Sequence, residues 1–335
     1  MESNFYNIIS NFKSKKLLVI GDIMLDKYVW GKVNRISPEA PVQIVNVERE
    51  SYVPGGASNV ANNISSLGAT AYMVSIIGND SAKDILFNEL NKRSINTSGI
   101  IVDITKPTIQ KVRVIGQNQQ LLRIDYENDG YINSKIEGEI IRYIGGIMVS
   151  VDAVVISDYA KGVITKELAK YVIELARNNK KIIVIDPKPI HKEYYRNVTI
   201  ITPNHHEASQ MTGINGENDI DIVKIGKKLL EEMNSPILIT RGEKGMTLFE
   251  QNGNITNIPT MAKEVYDVTG AGDTVVATVA LALCSGARII DCAKIANHSA
   301  GIVVGKIGTS TVSVEELSRS FVDTQKKEKL KNPAL

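Results

Sequence analysis

The residues best suited to chemistry in this chain are Asp267-Val268-Thr269-Gly270-Ala271-Gly272-Asp273-Thr274, which run directly into an apolar stretch over residues 275–284. Glycines followed by helix-compatible residues describe a tight loop that presents free backbone N–H groups at a helix N-terminus, where a phosphate is held best. The octapeptide therefore reads as an anion cradle. Asp273 lies in its rim, so its carboxylate faces the place where a bound phosphate carries its charge. That repulsive placement makes sense for a carboxylate that takes up a proton. An aspartate that only caps the helix has the same sequence signature, and the octapeptide alone leaves both readings open.

The elements that must position this loop are legible as hydrophobic runs. Leu17-Leu18-Val19-Ile20 ends at Gly21-Asp22, with Asp26 close behind. Val154-Val155-Ile156 ends at Ser157-Asp158, and Ile182-Ile183-Val184-Ile185 ends at Asp186-Pro187. Thr199-Ile200-Ile201 ends at Thr202-Pro203-Asn204, and Ile237-Leu238-Ile239 ends at Thr240-Arg241-Gly242. Short, wholly apolar runs that stop at polar or turn residues are strands of parallel-sheet type. Amphipathic helices are expected between them, over residues 165–178 with Leu168, Val172, Leu175 and Ala176 on one side, and over 221–233 with Ile225, Leu229 and Leu230. Such alternation gives an open α/β sheet, and ligands bind these sheets at the carboxyl ends of the strands.

A second texture interrupts the first. Residues 42–47, 109–115 and 119–125 mix apolar and polar types, the last two flanking Gly116-Gln117-Asn118. This predicts a small antiparallel patch with a hairpin, able to cover the crevice. Between its parts lies Pro54-Gly55-Gly56-Ala57-Ser58-Asn59, then a helix with Val60, Ala61, Ile64 and Leu67 on one face, stopping at Gly68. Paired glycines let a backbone approach a ligand, and Asn59 offers a donor and an acceptor. A plain turn before a helix looks the same. Residues 325–332 are lysine-rich without apolar periodicity and are expected to be a solvated end.

Formal net charge is +2, with 43% apolar and 23% charged residues, so neither nucleic acid nor an anionic membrane surface is implied as a partner. No apolar run reaches spanning length and residues 1–16 carry no signal-peptide pattern, which predicts a soluble, cytoplasmic protein. Cys284 and Cys292 lack metal-type spacing and are expected to be buried thiols. There is no GxxxxGK[ST] loop, since Gly301 to Gly305-Lys306 is one residue short, and Gly21 stands alone without GxGxxG. A GxSxG elbow is also missing. Asn204-His205-His206-Glu207 follows a strand end, and its Asn204 and Glu207 are hard oxygen donors suited to magnesium through water. A helix cap with a glutamate three residues later has the same pattern. His205 and His206 lack the i, i+4 spacing of a helical metal pair, and the isolated His191 and His298 fit structural roles.

In order along the chain, Gly55-Gly56 with Asn59, Asp158-Tyr159-Ala160-Lys161-Gly162, Asn204-His205-His206-Glu207, Thr240-Arg241-Gly242-Glu243-Lys244-Gly245 and the Asp267 to Asp273 stretch resemble the ribokinase-like (PfkB) carbohydrate kinases. The resemblance covers roughly residues 15–314, and five ordered motifs are far more specific than one. Three further stretches resemble the bacterial heptose 7-phosphate kinases of lipopolysaccharide-core synthesis: Gly31-Lys32-Val33-Asn34-Arg35-Ile36-Ser37-Pro38-Glu39-Ala40-Pro41-Val42, Asn118-Gln119-Gln120-Leu121-Leu122-Arg123-Ile124-Asp125, and residues 301–309. Gln117 stands where an arginine is expected, and Thr278 where the family has a small residue.

The resemblance implies an α/β, ribokinase-like fold: a kinase domain over residues 1–320, with β-lid segments near 29–53 and 107–125, and a charged tail over 321–335. It implies a single-activity kinase without the nucleotidyltransferase half often fused to this subfamily. ATP and Mg²⁺ are the implied cofactors, and the need for a monovalent cation is left open. Asp273 would take the proton from the anomeric hydroxyl, with Gly270, Ala271 and Gly272 donating N–H groups to the transferring phosphoryl. Asn204, His205, His206 and Glu207 would lie on the ATP side, with Asn204 and Glu207 organising Mg²⁺ through water. Thr240, Gly242 and Gly245 would line the nucleotide, and Asn297, Gly305 and Lys306 would flank the adenine. Asp26, Gly55, Gly56 and Asn59 would face the sugar. Arg123, Lys161 and Lys188 are the candidate cations for the sugar's phosphate, each equally readable as a surface cation. Exposed lid edges predict a homodimer through the lid. The expected reaction is phosphorylation of D-glycero-beta-D-manno-heptose 7-phosphate at C1. The alternatives are another sugar or sugar phosphate, such as ribose, fructose 1-phosphate or tagatose 6-phosphate, and a non-catalytic sugar- or nucleotide-binding regulator.

Overall fold

The computed structural model describes residues 2–331 apart from 118, 217, 263 and 307, with the side chains of residues 2–4 and 323–331 outside the description. After helix α1 (Glu2–Ser10) come β1 (Lys16–Gly21) and two long strands, β2 (Ile23–Ile36) and β3 (Gln43–Gly56). They lead into α2 (Ala57–Ser66), β4 (Thr70–Ile77), α3 (Ser81–Lys92) and β5 (Asn96–Val102). The hairpin of β6 (Gln110–Gly116) and β7 (Gln119–Tyr126) precedes α4 (Ser134–Ile147), β8 (Ala153–Ser157), α5 (Lys166–Asn178), β9 (Ile182–Asp186), β10 (Ile200–Ile201) and α6 (His205–Thr212). The chain then forms α7 (Asp219–Met233), β11 (Ile237–Thr240), β12 (Met246–Phe249), β13 (Ile255–Ile258), α8 (Ala271–Cys284), α9 (Ile289–Val303) and α10 (Val314–Lys331).

Among the described residues, nine strands form the main sheet in the order β13-β12-β11-β10-β9-β8-β1-β4-β5. All neighbours from β11 to β5 are parallel, and β12 and β13 close one edge antiparallel. Helices cover both faces, which is why the central strands are apolar at every position rather than at alternate ones. Leu17 and Val19 of β1 join the core that holds α2, α3, α8 and α9; Leu18 and Ile20 join the core that holds α4, α5 and α7. Helix α8 runs between sheet and helices with residues 273–282 all buried, the behaviour of a helix apolar on every side.

The smaller sheet has the order β3-β2-β6-β7. Its outer ladders are antiparallel, as expected, but β2 and β6 pair in parallel. Strand β2 starts at Ile23, ahead of the β-lid segment expected from about residue 29, and β3 runs well beyond the expected residues 42–47. The reason is the alternation in Asp26-Lys27-Tyr28-Val29-Trp30, which points polar and aromatic groups at a crevice rather than at core or solvent. By register, Asp26, Tyr28, Trp30, Lys111, Arg113, Arg123 and Asp125 share one face, and Val29, Val112, Val114, Leu122 and Ile124 share the other.

The lysine-rich residues 325–331 continue α10 instead of ending the fold as a separate tail. Lys, Glu, Gln and Leu are strong helix formers and sustain a helix without an apolar stripe. Residue 332 lies outside the described residues. Cys292 is buried and Cys284 half-buried, both as free thiols, and burial pushes the Cys284 thiol up to about 12, which removes thiolate chemistry at neutral pH. Among the described residues no helix is long and apolar enough to cross a membrane.

Candidate active site

Gly270 opens α8 in the left-handed region, φ +81°, and no side chain caps that helix end. Asp273 is therefore not a cap. Its carboxylate is taken instead by two donors from distant elements: Asn59 Nδ2 donates to Oδ2 at 2.7 Å, and the Tyr159 hydroxyl donates to Oδ1 at 2.7 Å. Burial pushes the Asp273 carboxyl up to about 6, against the pull of the Asn59 and Tyr159 donors; the charge of Asp26 raises it further and Lys188 lowers it. A buried carboxylate of near-neutral proton affinity beside an uncapped helix N-terminus can accept a proton next to a bound anion.

The two helices that carry the pair are locked together. Thr274 Oγ1 donates to Asn63 Oδ1 at 2.9 Å, and Asn63 Nδ2 donates to the Asn59 carbonyl at 2.9 Å. Asp26 enters from β2, and Arg113 on β6 donates to its Oδ1. Burial raises the Asp26 carboxyl while Arg113 opposes it. A Cβ on Gly55 would stand 2.3 Å from Asp26 Oδ2, so the end of β3 passes directly against this carboxylate. Gly56 has φ +58° and precedes α2. The double glycine is thus a close approach and not a free turn. Arg113 is invisible as a site residue in the sequence, where it is one more cation in an alternating strand. Tyr28 and Trp30 follow Asp26 on the same face, with the Arg113 guanidinium 5.3 Å from the Tyr28 ring centre and Arg49 4.5 Å from that of Trp30.

On the opposite side of the crevice, Asn204 and Glu207 form a reciprocal capping box on α6: Asn204 Oδ1 accepts from Glu207 N–H and Glu207 Oε2 accepts from Asn204 N–H. Glu207 Oε1 accepts from Lys188 Nζ at 2.5 Å, and that ammonium lies 5.4 Å from the Tyr159 ring centre. Asn204 pairs with Thr240 in an isolated parallel bridge, joining two strand ends. The rings of His205 and His206 lie 3.9 Å apart at the start of α6. Gly242 has φ +56°, and Gly245 has φ +82° with no room for a Cβ against the Ile258 carbonyl. Asn297 Nδ2 donates to the Pro259 carbonyl at 2.6 Å, and Lys306 turns to Glu316 at 2.7 Å and the Thr311 carbonyl, past Gly305.

Gly270, Ala271, Gly272, Asp273, Asn59, Asp26 and Gly55 thus gather in one place. Among the predicted phosphate cations, Lys188 joins them over the Tyr159 ring, close enough for its charge to act on Asp273. Arg123 is paired with Asp125 at 2.9 Å, and Lys161 with Glu127 and Asp129 at 2.8 Å each. Among the described residues no group of three or more His, Cys, Asp or Glu is gathered for a metal. Two carboxylates do converge: burial first, and then the charge of Glu207, hold the Asp186 carboxyl well above the usual carboxylate range. Two neighbouring hard oxygen donors fit a magnesium ion that keeps most of its ligands as water and phosphate oxygens, and a cation there would favour the ionised form of both. His191 and His298 are structural, the first between Asp158 and Tyr131, the second stacked on Phe321.

A parallel sheet with a small sheet over its strand ends, and a buried carboxylate beside an uncapped helix N-terminus, define a ribokinase-like phosphotransferase. Escherichia coli phosphofructokinase-2, in a complex with potassium, shares this fold with a TM-score of 0.73 at 16% identity, covering 93% of this chain and 99% of that one. Arabidopsis thaliana ribokinase, complexed with ribose and ATP, does so with a TM-score of 0.71 at 19% identity, covering 92% and 98%. Residues 14–317 match the pfkB family carbohydrate kinase, and the chain belongs to that family: it is a sugar kinase. The bifunctional protein HldE of Geobacter sulfurreducens is 43% identical over 319 residues, 95% of this chain and 65% of that protein. HldE of Helicobacter hepaticus is 42% identical over 314 residues, 93% and 65%. This chain spans about two thirds of the length of these relatives.

Proposed function

We propose that this kinase phosphorylates D-glycero-beta-D-manno-heptose 7-phosphate at C1 with ATP, giving the 1,7-bisphosphate, as a cytoplasmic step toward ADP-heptose and the lipopolysaccharide core. Identity of 42–43% to HldE proteins over nearly the whole chain supports the substrate. The heptose-type stretches over residues 31–42, 118–125 and 301–309 support it as well, although Asn118 and Ile307 lie outside the described residues. The observation that carries the chemistry is Asp273, buried and held by Asn59 and Tyr159 at the uncapped start of α8.

The γ-phosphoryl group would lie at the N-terminus of α8, where the N–H groups of Gly270, Ala271 and Gly272 receive the charge that develops on its oxygens. Asp273 accepts the proton of the C1 hydroxyl as the oxygen attacks. Asp26, fixed by Arg113, accepts from a second sugar hydroxyl, and Asn59 borders the same space. Lys188 stands between Glu207 and the base, placed to balance the phosphate charge. Asp186 and Glu207 would hold Mg²⁺ through water with Asn204 beside them; when bound, the ion screens the phosphates from the carboxylates. For the sugar's own phosphate, Arg113 and Arg123 lie on the crevice face, each paired with one carboxylate, Asp26 and Asp125, whereas Lys161 is paired with two, Glu127 and Asp129.

The test is ATP consumption with Mg²⁺ against heptose 7-phosphate, ribose, fructose 1-phosphate and tagatose 6-phosphate. Turnover of the heptose phosphate is expected, falling about 10²–10⁴-fold in Asp273→Asn. Turnover of another sugar alone would keep the kinase and sink the heptose assignment.

A further inference from the structure

We propose that Tyr159 is a positioning residue for the reaction: its hydroxyl, delivered by a rigid loop after β8, fixes the carboxylate of Asp273 and sets how readily it takes a proton. The inference rests on Asp273 being the general base and names a group that tunes it.

A carboxylate held through one oxygen can swing about its Cβ–Cγ bond. Asp273 is held through both, Oδ2 by Asn59 and Oδ1 by Tyr159, each at 2.7 Å. One lone pair on each oxygen remains for a substrate hydroxyl. Burial, and then the charge of Asp273, keep the Tyr159 phenol well above its ordinary value, so it stays a donor throughout the working pH range.

The loop that carries Tyr159 is built around two buried carboxylates, each 1% exposed. Asp22 Oδ2 accepts the N–H groups of Tyr159 at 3.0 Å and Lys161 at 3.1 Å, and its Oδ1 accepts that of Val163 at 3.0 Å. Asp158 Oδ1 accepts the Ala160 N–H at 2.8 Å, while its Oδ2 meets the Tyr195 hydroxyl and His191 Nδ1 at 2.7 Å each. The Tyr131 hydroxyl completes the chain 2.8 Å from His191 Nε2. Ala160 itself sits at φ +55°. Burying charged groups is unfavourable unless every lone pair is met, and a strand-to-helix connection needs no such anchors. Here they hold the residue on either side of Tyr159, and its hydroxyl is the one group the loop sends to the base.

The charged and titratable groups that face Asp273 are Asp26 from β2, Asp186 at the end of β9, Lys188 just beyond it, and Tyr159. Tyr159→Phe removes a donor to the ionised carboxylate and changes no charge. Donors to the charged form favour it, so the variant's Asp273 holds its proton to higher pH, by about one unit. The measurement is ¹³C-carboxyl NMR titration of aspartate-labelled protein without sugar, the Asp273 signal being the one lost in Asp273→Asn. A wrong sugar assignment leaves this readout intact. The acid limb of kcat should move by the same amount, with kcat down about twofold at pH 7 and about tenfold at pH 5, and KM for ATP unchanged. Asp22→Asn, which loosens the loop but keeps the tyrosine, should move the titration in the same direction by less, and stands in should Tyr159→Phe not fold. An unmoved Asp273 titration in a folded variant would overturn the proposal and leave Tyr159 as packing beneath Lys188.

Discussion

The space that a Cβ on Gly270 would fill is occupied by the side-chain amide of Asn59, whose nitrogen lies 2.7 Å from that point. The same nitrogen donates to Asp273. Gly270 therefore meets two demands at once, a left-handed backbone and the approach of α2 to α8. Gly270→Ala should lower stability by about 1–3 kcal/mol and displace the amide from the base, with turnover falling at least tenfold. Urea unfolding and steady-state rates check both, and a variant with wild-type turnover would show that the Asn59 contact is dispensable.

Asp273 also gives stability a specific pH dependence. Its carboxyl stands at about 6 in the fold against an ordinary 3.8, so the folded chain binds this proton more tightly than the unfolded one. The contribution is fully present below pH ~4, is lost as pH rises to ~6 and is level above, amounting to ~3 kcal/mol. Asp22, Asp26 and Asp186 are raised by burial too and shape the same region. The difference between wild type and Asp273→Asn isolates the one group. Urea midpoints between pH 4 and 8 should converge at low pH for wild type and fall less steeply for the variant; parallel curves would contradict the raised value.

Asp26 and Arg113 form an ion pair with little solvent around it, the side chains 5% and 16% exposed. Arg113→Ala leaves a buried carboxylate without its cation and should destabilise by about 2–3 kcal/mol, while the double variant with Asp26→Asn regains part of that loss. A double-mutant cycle on unfolding free energy measures the coupling. Arg113→Lys keeps charge but not the guanidinium fork, so KM for the sugar phosphate should rise about tenfold with the pair's stability largely kept.

On the outer face of the small sheet, Leu122 and Ile124 are 55% and 39% exposed beside Val29, Val112 and Val114. We propose that a second copy covers this face through the lid. Sedimentation at micromolar concentration should show a dimer, and Leu122→Glu with Ile124→Glu should return it to monomer. A wild-type monomer removes the idea.

Several features were settled by local sequence. The apolar strands, the glycine loop with Asp273, and the Gly55-Gly56 step before α2 are legible because strand burial and left-handed turns leave a mark within a few residues. Tertiary structure decided between meanings that share one local pattern. Asn204 does cap its helix and Asp273 does not: Asn59 and Tyr159, 214 and 114 residues away, claim the Asp273 carboxylate. The start of strand β2, ahead of residue 29, was hidden for a related reason: one of its faces lines a crevice, so its alternation matches neither core nor solvent. Arg113 becomes a site residue only when β6 pairs in parallel with β2 and brings it to Asp26, 87 residues earlier. Lys161 looked free in sequence and is held by Glu127 and Asp129, 34 and 32 residues earlier, which only folding brings near. Local periodicity records how a residue sits in its own element; which distant group meets it is set by register and packing between elements, and that is where the chemistry of this site was decided.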